Sequence, residues 1–150
     1  AQRDALAPLQ AAARLMAQVV DALLLLAREP APGAAAPPVP LLPLLEDWVL
    51  AHADALDAQG LTVHLELRPG DALALPAPVL QTVLAGLLGN ALVHARRGGT
   101  VRVAREADGT LCLRNPVAPP GQPRPWNGLG LGLAIVRRLL ERHGGALDWQ

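Results

Sequence analysis

The stretch Asn127-Gly128-Leu129-Gly130-Leu131-Gly132-Leu133-Ala134-Ile135-Val136 decides how this chain is read. Three glycines alternate, and a helical pattern begins at once. Alternating glycine lets a backbone turn tightly and approach a ligand closely. The N-terminus of the helix that follows presents free N–H groups and a positive dipole end, which favour phosphate. It is not a Rossmann fingerprint, because Leu133 stands where the third glycine should be, and no Gly-Lys-Ser/Thr follows as a Walker A loop requires. A short glycine repeat reads equally well as a flexible loop. A second stretch, Leu87-Leu88-Gly89-Asn90-Ala91-Leu92-Val93-His94-Ala95, puts Asn90 inside an otherwise apolar helix. Asn is a poor interior helix residue, and burying its amide unpaired costs about 1–3 kcal/mol. Asn90 therefore needs a partner: either a hydrogen bond to another helix, or a role as an oxygen ligand of Mg²⁺, which prefers hard donors and keeps several waters.

The composition limits the rest. With 150 residues and 51% hydrophobic content the chain folds as one domain plus an extra element, and disorder is excluded. Thirteen basic residues balance thirteen acidic ones, so no basic excess points to nucleic acid. The single cysteine, Cys112, excludes a disulfide framework and a multi-cysteine zinc site. The longest unbroken apolar run, Ala22 to Ala27, falls far short of the roughly 20 residues a membrane span needs. With no initiator Met and no signal peptide, the chain is expected to be a piece of something longer. Lys, Ser, Phe and Tyr are absent and only three Asn occur, as a GC-rich coding bias would give. Where such a chain does use an Asn (Asn90, Asn115, Asn127), the position is the more informative.

Residues 4–29 read as one helix with an unbroken heptad seam through Leu6, Leu9, Ala13, Met16, Val20, Leu23 and Ala27. A lone helix cannot bury such a seam; an interchain bundle suits it better than packing on its own domain. Five prolines in residues 30–40 end the helix and mark a linker. Then come a helix over 41–58 closed by Gly60, a strand over 61–67 stopped by Pro69-Gly70, and a helix opened by Pro76 and running to about Arg97. Strands at 100–107 and 110–115 flank an Asp108-Gly109 hairpin turn. A proline-rich loop over 116–127 leads to a helix over 131–143 closed by Gly144-Gly145. Residues 146–150 are expected to begin a last strand. This order suits an α+β fold, a mixed sheet with helices on one face, preceded by one long helix.

The two quoted stretches together resemble the catalytic ATP-binding domain of sensor histidine kinases, in the superfamily shared with gyrase and Hsp90. Leu87 to Ala95 looks like the family's N box, Gly128 to Leu133 like its G2 box, and Arg137 to Gly145 like the helix and turn after it. Val20 to Arg28 resembles the end of the second dimerisation helix. The resemblance implies a Bergerat-type sandwich over 41–150, with 1–29 as part of the dimerisation bundle and 30–40 as linker. It implies ATP and Mg²⁺ as cofactors. Asn90 would hold the Mg²⁺, and Asn90, His94, Asn115, Gly128, Gly130, Gly132 and Leu133 would line the nucleotide, with 116–127 as a lid. Trp126 in that lid could cover a nucleotide or simply pack. The implied partners are the first dimerisation helix of the same kinase, a response-regulator receiver domain and a second copy, in the cytoplasmic part of a membrane-bound bacterial sensor.

The sequence departs from the family pattern at three places. Asn115 falls where the adenine-reading Asp is expected, and Val117 replaces the glycine two positions on. Gly86 stands where an Asn or Glu is frequent, and Val93 where Lys is common. The phosphoacceptor histidine of the family lies on a helix outside this sequence, so the expected activity is the nucleotide half of a histidine protein kinase, without autophosphorylation. The alternative is a degenerate domain of the same fold that scaffolds without ATP.

Overall fold

The structure is a computed structural model that describes residues 2–28, 36–117, 119 and 131–149. Helix α1 covers Gln2–Ala27; strand β1, Val39–Pro40, leads into α2, Leu41–Ala51, and α3, Ala53–Gln59. Strands β2, Thr62–Glu66, and β3, Ala72–Leu73, precede α4, Ala77–His94. Strands β4, Thr100–Arg105, and β5, Leu111–Arg114, are followed by α5, Leu131–Arg142.

The sheet is mixed, in the order β2-β4-β5. Strand β2 runs parallel to β4, with Val63 opposite Val101 and Leu65 opposite Val103, and β5 runs antiparallel to β4. Gly109, at φ 89°, makes the hairpin turn, and the Asp108 carboxylate accepts the Thr110 N–H at 2.9 Å. That bond holds the exposed Asp108 carboxyl below its ordinary value. Alternation along the strands sorts the two faces. Val101 and Val103 are buried under the helices, while Thr62, His64, Glu66, Arg102 and Arg114 face water. On the open face Arg102 pairs with Glu66 at 2.7 Å and Arg114 with Glu106 at 3.4 Å. The expected α+β sandwich with helices on one face is the fold observed.

Helix α4 is long and apolar enough in composition to cross a membrane. It is instead the central core helix, with Val79, Leu80, Val83, Leu84, Leu88 and Ala91 buried. Leu139 and Val136 of α5, Leu41 and Leu45 of α2, and Val103 of the sheet complete the main cluster. A second cluster gathers Leu56, Leu61, Ala91, Ala95 and Val101, and Trp48 packs against both.

Helix α1 packs on its own domain, but not through its heptad seam. Ala22 is 3% exposed, and Leu25 and Leu26 lie against the core. Gln18 donates from Nε2 to the Ala85 carbonyl of α4 at 3.3 Å. The seam residues Leu6, Leu9, Met16, Val20 and Leu23 are each at least 50% exposed.

Three expectations are corrected. The helix expected over 41–58 breaks at His52, whose Nδ1 lies 2.8 Å from the Trp48 carbonyl and whose ring stacks on Trp48 at 4.1 Å. Helix α4 stops at His94, because Ala95 is extended and pairs with Val117. No strand forms over the described residues 146–149. There the Leu147 carbonyl accepts from Arg137 Nε at 3.1 Å, and the Arg137 guanidinium lies 3.8 Å over the Trp149 ring.

Gly86 lets α4 and α5 approach: a Cβ placed there would lie 2.6 Å from Val136 Cγ2. Gly86→Ala gains about 1 kcal/mol in helix propensity but overpacks the contact at about 1–3 kcal/mol. Thermal unfolding of Gly86→Ala is therefore expected at a lower temperature than the parent. In a Val136→Ala background the same change is expected to stabilise.

Candidate functional site

The site residues come from three places on α4, β5 and α5. Asn90 sits one turn beyond Gly86 on α4, so it shares the side of that helix turned toward α5. Its side chain is half-buried, and no described residue hydrogen-bonds to it. Of the two readings of Asn90, the interhelix hydrogen bond is thus not made among the described residues. His94 is the last residue of α4 and half-buried.

Asn115 follows β5 directly. Its backbone is held by its neighbours: the Arg96 N–H donates to the Pro116 carbonyl at 2.7 Å, and Val117 bridges Ala95. Pro116 in turn lies against Gly99, where a Cβ would sit 2.6 Å from Pro116 Cγ and 2.9 Å from the Arg96 carbonyl. Gly98, at φ 74°, makes the turn that brings Gly99 there. The end of β5 is thereby fastened to the end of α4. The Asn115 amide is half-buried and has no hydrogen-bond partner among the described residues. Val117 points outward, 64% exposed.

Gly132 and Leu133 lie in the first turn of α5, both half-buried. A Cβ on Gly132 would meet no described atom within 4 Å. Gly128, Gly130, Trp126 and most of the lid expected over 116–127, namely residues 118 and 120–127, lie outside the described residues. Among the described residues no three His, Cys, Asp or Glu side chains converge on a metal position. The shallow cavity of about 290 Å³ beside Leu50 and Val63 lies away from these residues.

The same arrangement of layers occurs in solved kinases. The cytoplasmic segment of histidine kinase QseC superposes with a TM-score of 0.64 at 23% identity, over 93% of this chain and 83% of that one. The catalytic domain of histidine kinase ThkA superposes with a TM-score of 0.54 at 17% identity, over 71% of this chain and 81% of that one. The chain has the fold of a histidine kinase catalytic domain. Among curated proteins, the sensor protein IrlS of Burkholderia pseudomallei is 32% identical over 59% of this chain. The chain spans 23% of that protein's length. No family model matches the chain.

Within this kinase fold, the sequence singled out Asn90, Asn115 and the glycine-led helix start, and the structure describes their first two carriers fully. It missed three supporting features. Arg97 donates from Nη2 to the Ala58 carbonyl at 3.0 Å, tying α3 to the turn after α4. Gly99 provides the seat for Pro116, and Gln18 connects α1 to α4. The paired glycines Gly98-Gly99 were a visible signal for the second; nothing in the local pattern marked Gln18.

Gly99→Ala is expected to push Pro116 off its seat, at about 1–3 kcal/mol of stability. Amide exchange at Arg96 should accelerate, because its N–H loses the Pro116 carbonyl. Gly98→Ala is the control: its strain comes from the left-handed backbone, about 1–2 kcal/mol, and it leaves Pro116 in place.

Proposed function

We propose that residues 41–150 are the ATP-binding catalytic domain of a two-component sensor histidine kinase, and that 1–29 are part of its dimerisation bundle, joined by a linker over 30–40. The observation that carries the reading is the presence in this fold of two half-buried amides, Asn90 and Asn115, with no hydrogen-bond partner among the described residues, together with a helix start whose Gly132 has no described atom beside it. The donor set suits a nucleotide with Mg²⁺: hard amide oxygens, helix-start N–H groups and no competing thiol or imidazole cluster. Asn90 Oδ1 would hold the ion, with water and phosphate oxygens completing its shell. Asn115 would meet the base at its exocyclic edge. Gly128, Gly130, Gly132 and Leu133 would let the α5 N-terminus approach the phosphates, with His94 at the rim.

ATP would supply the phosphoryl group, passed to a histidine on a helix outside this sequence and then to an aspartate of a receiver domain. What this chain contributes is binding, orientation and charge neutralisation, on which such transfers depend. The intact protein would work as a dimer on the cytoplasmic side of a membrane-bound sensor.

Calorimetry tests the nucleotide reading. Mg²⁺–ATP is expected to bind, and Asn90→Ala should weaken Mg²⁺-dependent binding by at least about tenfold, the lower range seen even for indirect metal partners. The variant should still melt cooperatively. Equal binding by parent and variant would refute the assignment of Asn90; no binding at all would favour the scaffold alternative.

Light scattering tests the seam. The chain is expected to self-associate, because an exposed apolar stripe of this length tends to pair. Val20→Asp with Leu23→Asp should return a monomer without lowering the melting temperature, since neither side chain is in the core. A monomeric parent would exclude the dimer role of α1.

A further inference from the structure

We infer that the site reads position 6 of a purine through an amide that can turn over, and so accepts 6-oxopurine nucleoside triphosphates such as ITP alongside ATP. This deepens the nucleotide reading above and rests on it.

The chemistry follows from the side chain present. A carboxylate at this position would be acceptor-only: it could take a hydrogen bond from the 6-amino group of adenine but would repel a 6-carbonyl. An amide carries an acceptor and two donors on one planar head of nearly constant shape. In one orientation Oδ1 accepts from the adenine 6-amino group and Nδ2 donates to adenine N1. Turned by half a rotation, Nδ2 donates to a 6-carbonyl and Oδ1 accepts from the N1–H of hypoxanthine. The final torsion of Asn is broad and roughly two-fold, so both orientations are accessible.

Selectivity would return if the protein pinned the amide. No described residue donates to the Asn115 Oδ1 or accepts from its Nδ2. What is pinned is the backbone, through the Arg96–Pro116 hydrogen bond at 2.7 Å and the Ala95–Val117 bridge. The amide head is thus presented from a fixed position with nothing selecting its orientation. Half-burial limits competition from water without shutting the group away.

Calorimetry with Mg²⁺–ATP, Mg²⁺–ITP and Mg²⁺–triphosphate on the full chain decides it. ITP and ATP differ at the edge that Asn115 would meet. The expected result is ITP affinity within about fivefold of ATP, less than one decade in binding constant. Asn115→Asp should then separate them, weakening ITP by about tenfold or more while ATP holds or tightens by up to about a decade. ATP binding with ITP about a hundredfold weaker in the parent would overturn the inference and leave the nucleotide reading standing. So would equal changes for both nucleotides in Asn115→Asp, or inorganic triphosphate binding as tightly as ATP. If neither nucleotides nor triphosphate bind, the nucleotide reading itself falls, and this inference with it. The comparison in the parent chain needs no variant to fold.

Discussion

Helix α4 is the element on which every layer packs, and its closeness to α5 depends on one missing side chain. With a Cβ at Gly86 the two helices could not keep their spacing, because Val136 already occupies that place. Gly86, where the resemblance leads to the expectation of Asn or Glu, is here given to packing. One turn further along the same side of α4, the Asn90 amide has no hydrogen-bond partner among the described residues. The close contact at Gly86 fixes how near α5 comes to the side of α4 that also carries Asn90.

The other constraint joins the sheet to that helix. After His94 the chain leaves α4 in an extended conformation, and Ala95 and Arg96 pair with Val117 and Pro116. Asn90 lies five residues before this junction on a helix, about 7.5 Å of rise. Asn115 lies two residues before it on the strand side, about 7 Å. The two Cα atoms are therefore within about 20 Å of each other, allowing for the width of the bridge between the strands. Neither carrier can drift relative to the other without breaking the junction. Pro116 and Val117 are accommodated at the same junction: Pro116 is seated on Gly99 and Val117 turns outward.

The elements legible in the sequence were those whose signal is local. The Pro76 start of α4, the alternation in β2, the Asp108-Gly109 turn and the Gly144 end of α5 all match what the residues dictate at short range. The failures fall where the backbone or a group beyond the short-range pattern intervenes. His52, at φ −113° and ψ 14°, leaves helical geometry and splits one expected helix into two. Arg137 takes the Leu147 carbonyl, so the segment expected as a last strand has no ladder. The two-residue pairing of Val39 and Pro40 with Leu73 and Ala72 was too short to carry any period, and it draws the end of the proline-rich segment onto the domain. At the site, Asn90 and Asn115 stood out by residue type; the Gly98-Gly99 pair was visible too, but that Pro116 sits on Gly99 emerges only from the fold.

The two stripes of α1 show why a helix can dock and still have a partner to find. The docked residues Gln18, Ala22 and Leu26 and the exposed seam through Met16, Val20 and Leu23 interleave in sequence but separate in space. At about 100° per residue their centres lie roughly 130° apart around the helix. A second helix laid along the seam would therefore not displace the catalytic layer from the docked stripe. Gly89 makes the docked side possible, since a Cβ there would stand 3.3 Å from Gln18 Nε2 and press on the hydrogen bond to Ala85. Docking through Gln18 and the pairing proposed for the seam are in this way separable, because the two stripes lie on different sides of one helix.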